Sequence, residues 1–141
     1  MTNTRSDTGR MLALNADLHC HSTISDGWLD PVQLVQRAAA NGAELLALTD
    51  HDEVSGVEAA AAEAGRLGLR FVGGVEISVS FGVETVHIVG LGIDAQHAGL
   101  RDELATLRAG RAARAARIAD ELAAVGIGGA LEGACRFAQN P

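Results

Sequence analysis

The 141-residue sequence contains no lysine and no tyrosine, only two cysteines and two prolines, and aromatic residues make up just 3% of it. These absences exclude several classes of protein. Two cysteines, Cys20 and Cys135, cannot build a disulfide framework. No run of about 18 apolar residues is available to span a bilayer. The opening stretch, Met1 to Arg10, lacks the apolar segment of a secretory signal. The expectation is a soluble, cytoplasmic protein with no membrane association. Positive charge is also scarce: 11 arginines face 18 carboxylates, for a net charge of -7. That balance argues against a generic nucleic-acid binder, although a metal site can still recruit phosphate locally. Arginine without lysine reads as the codon bias of a GC-rich genome rather than as chemistry. In place of bulky side chains there are 26 alanines and 17 glycines, which suit close packing of helices on a sheet. The hydrophobic fraction of 48% excludes disorder throughout. The length fits one domain able to bury roughly 68% of its unfolded surface.

Residues 1–11 read as a disordered lead, with the domain covering 12–141. Leu12 to Cys20 is expected to be a short buried strand. Asp30-Pro31 is a helix start, with Asp as cap and Pro at the first helical position, and Gly42 ends that helix. Leu45 to Thr49 is an apolar run of strand length. Ser55 and Glu58 read as a capping box for an Ala-rich helix that stops at Gly68. Leu69 to Val79 is a strand region interrupted at Gly73-Gly74. Phe81-Gly82 is a turn, and Val83 to Ile93 a fourth strand. A long helix follows, roughly Ala98 to Val125, whose stripe of Leu100, Leu104, Leu107, Ala115, Ile118, Leu122 and Val125 recurs at helical spacing. Arg111 falls inside that stripe. Ala130 to Ala138 forms one more short helix. The alternation of strands and helices predicts an α/β fold with mainly parallel strands.

The chemistry gathers at strand ends. Asp17-Leu18-His19-Cys20-His21 is followed by Asp26; Thr49-Asp50-His51-Asp52 ends the second strand; Gly74-Val75-Glu76 is read as ending the third; His87 lies in the fourth. Residues two apart on a strand share a face, so His19 and His21 form a metal-ligand pair, while Cys20 points away as a core thiol. In parallel α/β folds the strand C-termini converge on one rim. Several imidazoles and carboxylates there need cations between them. The mixed nitrogen and oxygen donors suit Zn, Mn or Fe, and six candidate ligands suit more than one ion. Metals roughly 3.5–4 Å apart can hold a hydroxide and a phosphate oxygen together for phosphoester hydrolysis. His97 precedes a helix in polar surroundings and reads as an exposed helix-start residue. Arg108, Arg111, Arg114 and Arg117 read as a solvated face rather than as an RNA contact, because they spread over about half the helix circumference.

The segments 17–27, 48–52, 74–78 and 86–90 resemble the first motifs of the PHP (polymerase and histidinol phosphatase) superfamily, over about residues 13–140. Asp-Gly-Trp after the first motif and Glu-Gly-Ala at 132–134 are most similar to the branch acting on nucleoside 3′,5′-bisphosphates and RNA 5′ ends. The resemblance implies a distorted (β/α)7 barrel, of which this chain would be the N-terminal part, and a metal-dependent phosphoesterase with up to three metals. It implies that His19 and His21 hold one ion, that Glu76 bridges it to a second held with His87, and that Asp26 and His51 hold a third, with Asp50 behind the ligands and a metal-bound hydroxide as the attacking group. Six of the family's nine ligands are matched, and the remaining Asp and two His fall later in its motifs. The resemblance therefore implies a chain cut short at its C-terminus. A phosphorylated small molecule or a nucleic-acid end is the implied substrate, with no stable protein partner. A histidinol-phosphatase-like enzyme or a DNA-polymerase-associated module are alternatives within the family. A catalytically incomplete metal-binding fragment is the alternative of another class.

Overall fold

The computed structural model describes residues 14–82 and 84–138. The expected disordered lead over 1–11 lies outside the described residues. The elements in chain order are β1 (Ala16–Cys20), α1 (Pro31–Ala40), β2 (Leu45–Leu48), α2 (Val57–Leu67), β3 (Arg70–Phe81), β4 (Glu84–Leu91), α3 (Ala98–Ala124) and α4 (Ala130–Cys135). The four strands form one sheet in the order β1-β2-β3-β4, which curls into half a barrel. β1, β2 and β3 run parallel, while β4 returns antiparallel to β3 through a tight turn at Gly82. The α/β expectation holds, with the β3–β4 hairpin as the one departure from parallel pairing.

β2 is central and apolar throughout, and Leu46, Ala47 and Leu48 are fully buried. Helices α1 and α2 cover it: Val35, Ala60, Ala64 and Leu69 join Leu46 and Leu48 in one core. Two alanines at the contact bring the α2 backbone close to the sheet, which is where the alanine content is used. Asp30 caps α1 as expected, its carboxylate accepting from Gln33 N–H at 2.9 Å. A second core joins Val54, Val57, Val75 and Leu104.

Four sequence expectations are corrected. β1 is not buried, because it is an edge strand and only Cys20 is partly covered. The Ser55–Glu58 capping box does not form. α2 starts one residue later, with Gly56 at the cap and no side-chain cap bond. Burying both Val54 and Val57 sets the phase of that turn and leaves Ser55 exposed. Gly73-Gly74 does not interrupt β3, which runs unbroken. A Cβ at Gly74 would sit 2.7 Å from Thr49 Cγ2 and 3.0 Å from Gly90 O. Glycine is there because strands on both sides approach closely. Finally, the apolar stripe of α3 is covered only near its start: Leu104 is buried, but Ile118 and Val125 are exposed.

Candidate metal centre

Three local devices carry the cluster. β1 delivers His19 and, just past its end, His21. The loop after it folds back sharply, with Gly27 N–H donating to Ser22 O at 2.8 Å. A Cβ at Gly27 would lie 2.2 Å from His21 O, so the Asp-Gly step is a steric requirement that brings Asp26 beside His21. Asp50, buried after β2, accepts from Ser22 N–H and Ser22 Oγ at 2.7 Å and from Ser25 Oγ at 2.6 Å. It fixes that loop.

Glu76 is the hub. It lies in the middle of β3 rather than at its end, level with the turn that follows β2, where His51 pairs with it in an isolated parallel bridge. Its Oε2 lies 2.8 Å from His19 Nε2, 2.9 Å from His21 Nε2 and 3.5 Å from His51 Nε2, and its Oε1 lies 3.0 Å from His87 Nδ1. His87 is likewise mid-strand. It pairs with Ser78, two residues from Glu76, and so shares the Glu76 face of the hairpin. His21 Nδ1 lies 2.6 Å from Asp26 Oδ1, and His51 Nε2 lies 3.7 Å from Asp26 Oδ2. All six expected residues meet on one side of the sheet. They form three overlapping groups with donor atoms within 4.8 Å of one another: His19, His21 and Glu76; His21, Asp26 and His51; His51, Glu76 and His87.

The electrostatics fit cations. His51 Nδ1 is buried without a hydrogen-bond partner, and His21 Nε2, although only 2.9 Å from Glu76 Oε2, is buried without a well-aligned hydrogen bond, a costly state for an imidazole nitrogen unless something else takes its lone pair. Burial lowers the His51 pKa, outweighing the nearby Glu76 and Asp26 carboxylates, so its imidazole tends toward the neutral form a metal requires. Burial raises the Glu76 pKa, but the hydrogen bond from His19 and the His51 and His87 rings outweigh it and hold it below the usual value. Asp26 is likewise raised by burial and lowered more by His21 and His51. The mixed nitrogen and carboxylate donor set is that of borderline divalent metals. Cys20 is not among the clustered donors. Its thiol donates to Ala47 O at 3.0 Å, and burial together with Asp17 and Asp50 pushes its pKa up to about 12. His97 stays apart as expected, exposed at the start of α3, where its Nδ1 accepts from Leu100 N–H.

Beside the cluster opens a cleft of about 700 Å³. Asp26, His51 and His87 line one side, and Arg108, Arg111 and Arg114 of α3 the other. The solvated-face expectation for these arginines is therefore wrong at two positions. Arg111 pairs with the buried carboxylate of Asp52 and donates to Ser78 Oγ at 2.8 Å, and Arg108 lies 3.1 Å from Glu53 Oε2. Angular spread around a helix says nothing about what the helix crosses. The signal for Arg111 was present in the sequence as a cation within an apolar stripe. Nothing comparable marked Asp52, which reads as a turn residue.

A family model described as the PHP domain matches residues 17–101. The chain is 51% identical over 127 residues to a 3′,5′-nucleoside bisphosphate phosphatase of Chromobacterium violaceum, covering 90% of this chain and 45% of that one. It is 45% identical to a 5′-3′ exoribonuclease of Haemophilus influenzae, covering 84% and 43%. A solved structure of an amidohydrolase from Chromobacterium violaceum, with bound sulfate and no metal, superposes with a TM-score of 0.80 at 51% identity, over 90% of this chain and 45% of that one. The chain spans about half the length of the curated relatives it matches.

Proposed function

Since this chain belongs to the PHP domain family, we propose that it serves metal-dependent hydrolysis of phosphate esters, and that its substrates are nucleotides of the nucleoside 3′,5′-bisphosphate type or RNA 5′ ends. The observation that carries the reading is the hub at Glu76. One carboxylate turns its two oxygens toward different imidazole sets, Oε2 toward His19, His21 and His51 and Oε1 toward His87, and the buried His21 Nε2 facing it makes no well-aligned hydrogen bond. On this reading His19, His21 and Glu76 hold one divalent ion, Glu76 and His87 a second, and Asp26 and His51 a third, with Mn, Zn or Fe as the candidates. Such ions supply Lewis acidity toward a phosphoryl oxygen and lower the pKa of a water. The chain's own residues do the rest. Asp50 holds the loop that sets Asp26. Buried backbone around Glu76 fixes the hub. Arg108 and Arg111 on the cleft wall already face Glu53 and Asp52, so Arg114 is the wall cation that would meet a phosphate dianion near the cluster. The names of the relatives support the substrate class.

The test is to strip metal with EDTA, restore Mn²⁺, and follow release of phosphate from adenosine 3′,5′-bisphosphate and of nucleotides from a 5′-phosphorylated oligoribonucleotide. Turnover is expected to require Mn²⁺ and to vanish in Glu76→Gln. Metal binding without any turnover would leave these residues a metal-holding role and overturn the catalytic reading.

A further inference from the structure

Asp52 follows His51 directly and is not among the clustered donors. Its side chain is fully buried, and with φ of +51° it is the one non-glycine residue among those described in the left-handed region. The surrounding ladder accounts for both properties. β2 ends at Leu48, but β3 runs on to Phe81. Backbone bonds extend the pairing as far as Glu76, whose N–H donates to Asp50 O at 3.1 Å and whose carbonyl accepts Asp52 N–H at 2.9 Å. Beyond that point the Asp52 carboxylate replaces the missing strand and accepts Ser78 N–H at 2.7 Å. A short carboxylate tolerates the left-handed turn that ends the extended path. Its other oxygen takes the Arg111 guanidinium, which also holds Ser78 Oγ, while Arg108 donates to the Asp52 carbonyl. Meanwhile the only fully buried apolar side chain on α3 is Leu104. Polar tethers therefore contribute much of what holds this helix against the cleft.

We propose that Asp52 is a positioning residue that couples the metal cluster to the cleft wall: one carboxylate fixes the turn carrying His51 and, through Arg111, docks α3 over the cleft. The part concerning His51 as a ligand rests on the metal reading above; the docking of α3 does not.

Two variants of the full chain separate these parts. Asp52→Asn keeps the shape and an acceptor for Ser78 but removes the charge that Arg111 meets. Arg111→Met removes the cation and leaves every backbone bond at His51 in place. Mn²⁺ affinity is measured by titration calorimetry, and hydrogen–deuterium exchange is followed without metal over 104–115 and 48–53. Both variants are expected to weaken Mn²⁺ about 10-fold and to speed exchange in both segments, although Arg111 touches no proposed ligand. Arg117→Met, on exposed helix, is expected to change neither. Unchanged Mn²⁺ affinity in Arg111→Met, with exchange raised only in α3, would overturn the coupling. Unchanged exchange in both segments would overturn it too. If the unsubstituted chain binds no Mn²⁺, the metal reading fails, and the exchange of 48–53 in Arg111→Met decides the coupling by itself. If Asp52→Asn does not fold, Arg111→Met carries the same decision.

Discussion

Helices α1 and α2 differ from α3 in how they are held. Against β2, the first two bury Val35, Ala60 and Ala64 completely. α3 is more than twice as long as either, yet buries Leu104 alone, and Ile118 remains 47% exposed. In the first region hydrophobic burial supplies the stability, and polar contacts such as the Asp30 cap refine it. In the second, Arg108 and Arg111 reach from the helix to the turn at residues 52–53 and set its place. An apolar stripe tells which face of a helix is prepared for a partner; it does not tell how much of that face finds one.

Core truncation separates the two regions most strongly. Leu46→Ala should cost about 2–5 kcal/mol in a denaturant titration, as large-to-small changes in packed cores do. Ile118→Ala should stay within about 0.5 kcal/mol. Equal costs would mean that the far part of α3 is covered in solution, and the contrast would be lost. Next comes the tether. Arg111→Ala leaves Asp52 buried without its cation and should cost about 2 kcal/mol, less than a fully buried pair because the guanidinium is partly exposed. A melt indistinguishable from that of the unsubstituted chain would show that the ion pair does not hold α3. Smaller still is the cap contrast: Asp30→Ala should cost about 1 kcal/mol, and Ser55→Ala close to nothing, since only Asp30 makes the cap bond. A substantial loss at Ser55 would restore the capping box.

The smallest effect is pH-dependent and belongs to the α1–α2 side. Hydrogen bonds from Arg66 and Gln36 hold the Glu63 carboxyl at about 2, down from its ordinary 4.5. The folded state therefore binds this proton less readily than the unfolded one. The contribution is complete above about 4.5 and is lost as pH falls toward 2. Glu63→Gln should flatten that part of a plot of Tm against pH. If the slope survives in the variant, other carboxylates cause it.

Much of the site was legible before any fold was known. His19, His21, Asp26, His51, Glu76 and His87 were all expected to meet, and they do; the first four sit in short segments whose local pattern marks the end of a strand or the turn beyond it. The reason given for Glu76 was wrong: it is mid-strand and reaches the cluster because β3 outruns β2, while His87, expected within the fourth strand, reaches it because β4 folds back across β3. The Ser55–Glu58 box failed because a capping motif specifies a possible helix start, and burial of Val54 and Val57 selected another. Asp52 and Arg111 were missed because they lie 59 residues apart, and no local pattern reports on such a pair.

The sequence by itself determined where helices begin and end around Asp30, Gly42 and Gly68, that 45–48 is an apolar strand, and which imidazoles and carboxylates come together. These depend on caps, backbone freedom and periodicity, all acting within a few residues. Only the tertiary structure decided that β4 runs antiparallel, that Gly74 is a contact rather than a break, and that α3 crosses the cleft with Arg111 on Asp52. Those outcomes depend on which surfaces meet once β2 is buried, and the free energy of such meetings is shared among residues far apart in the chain.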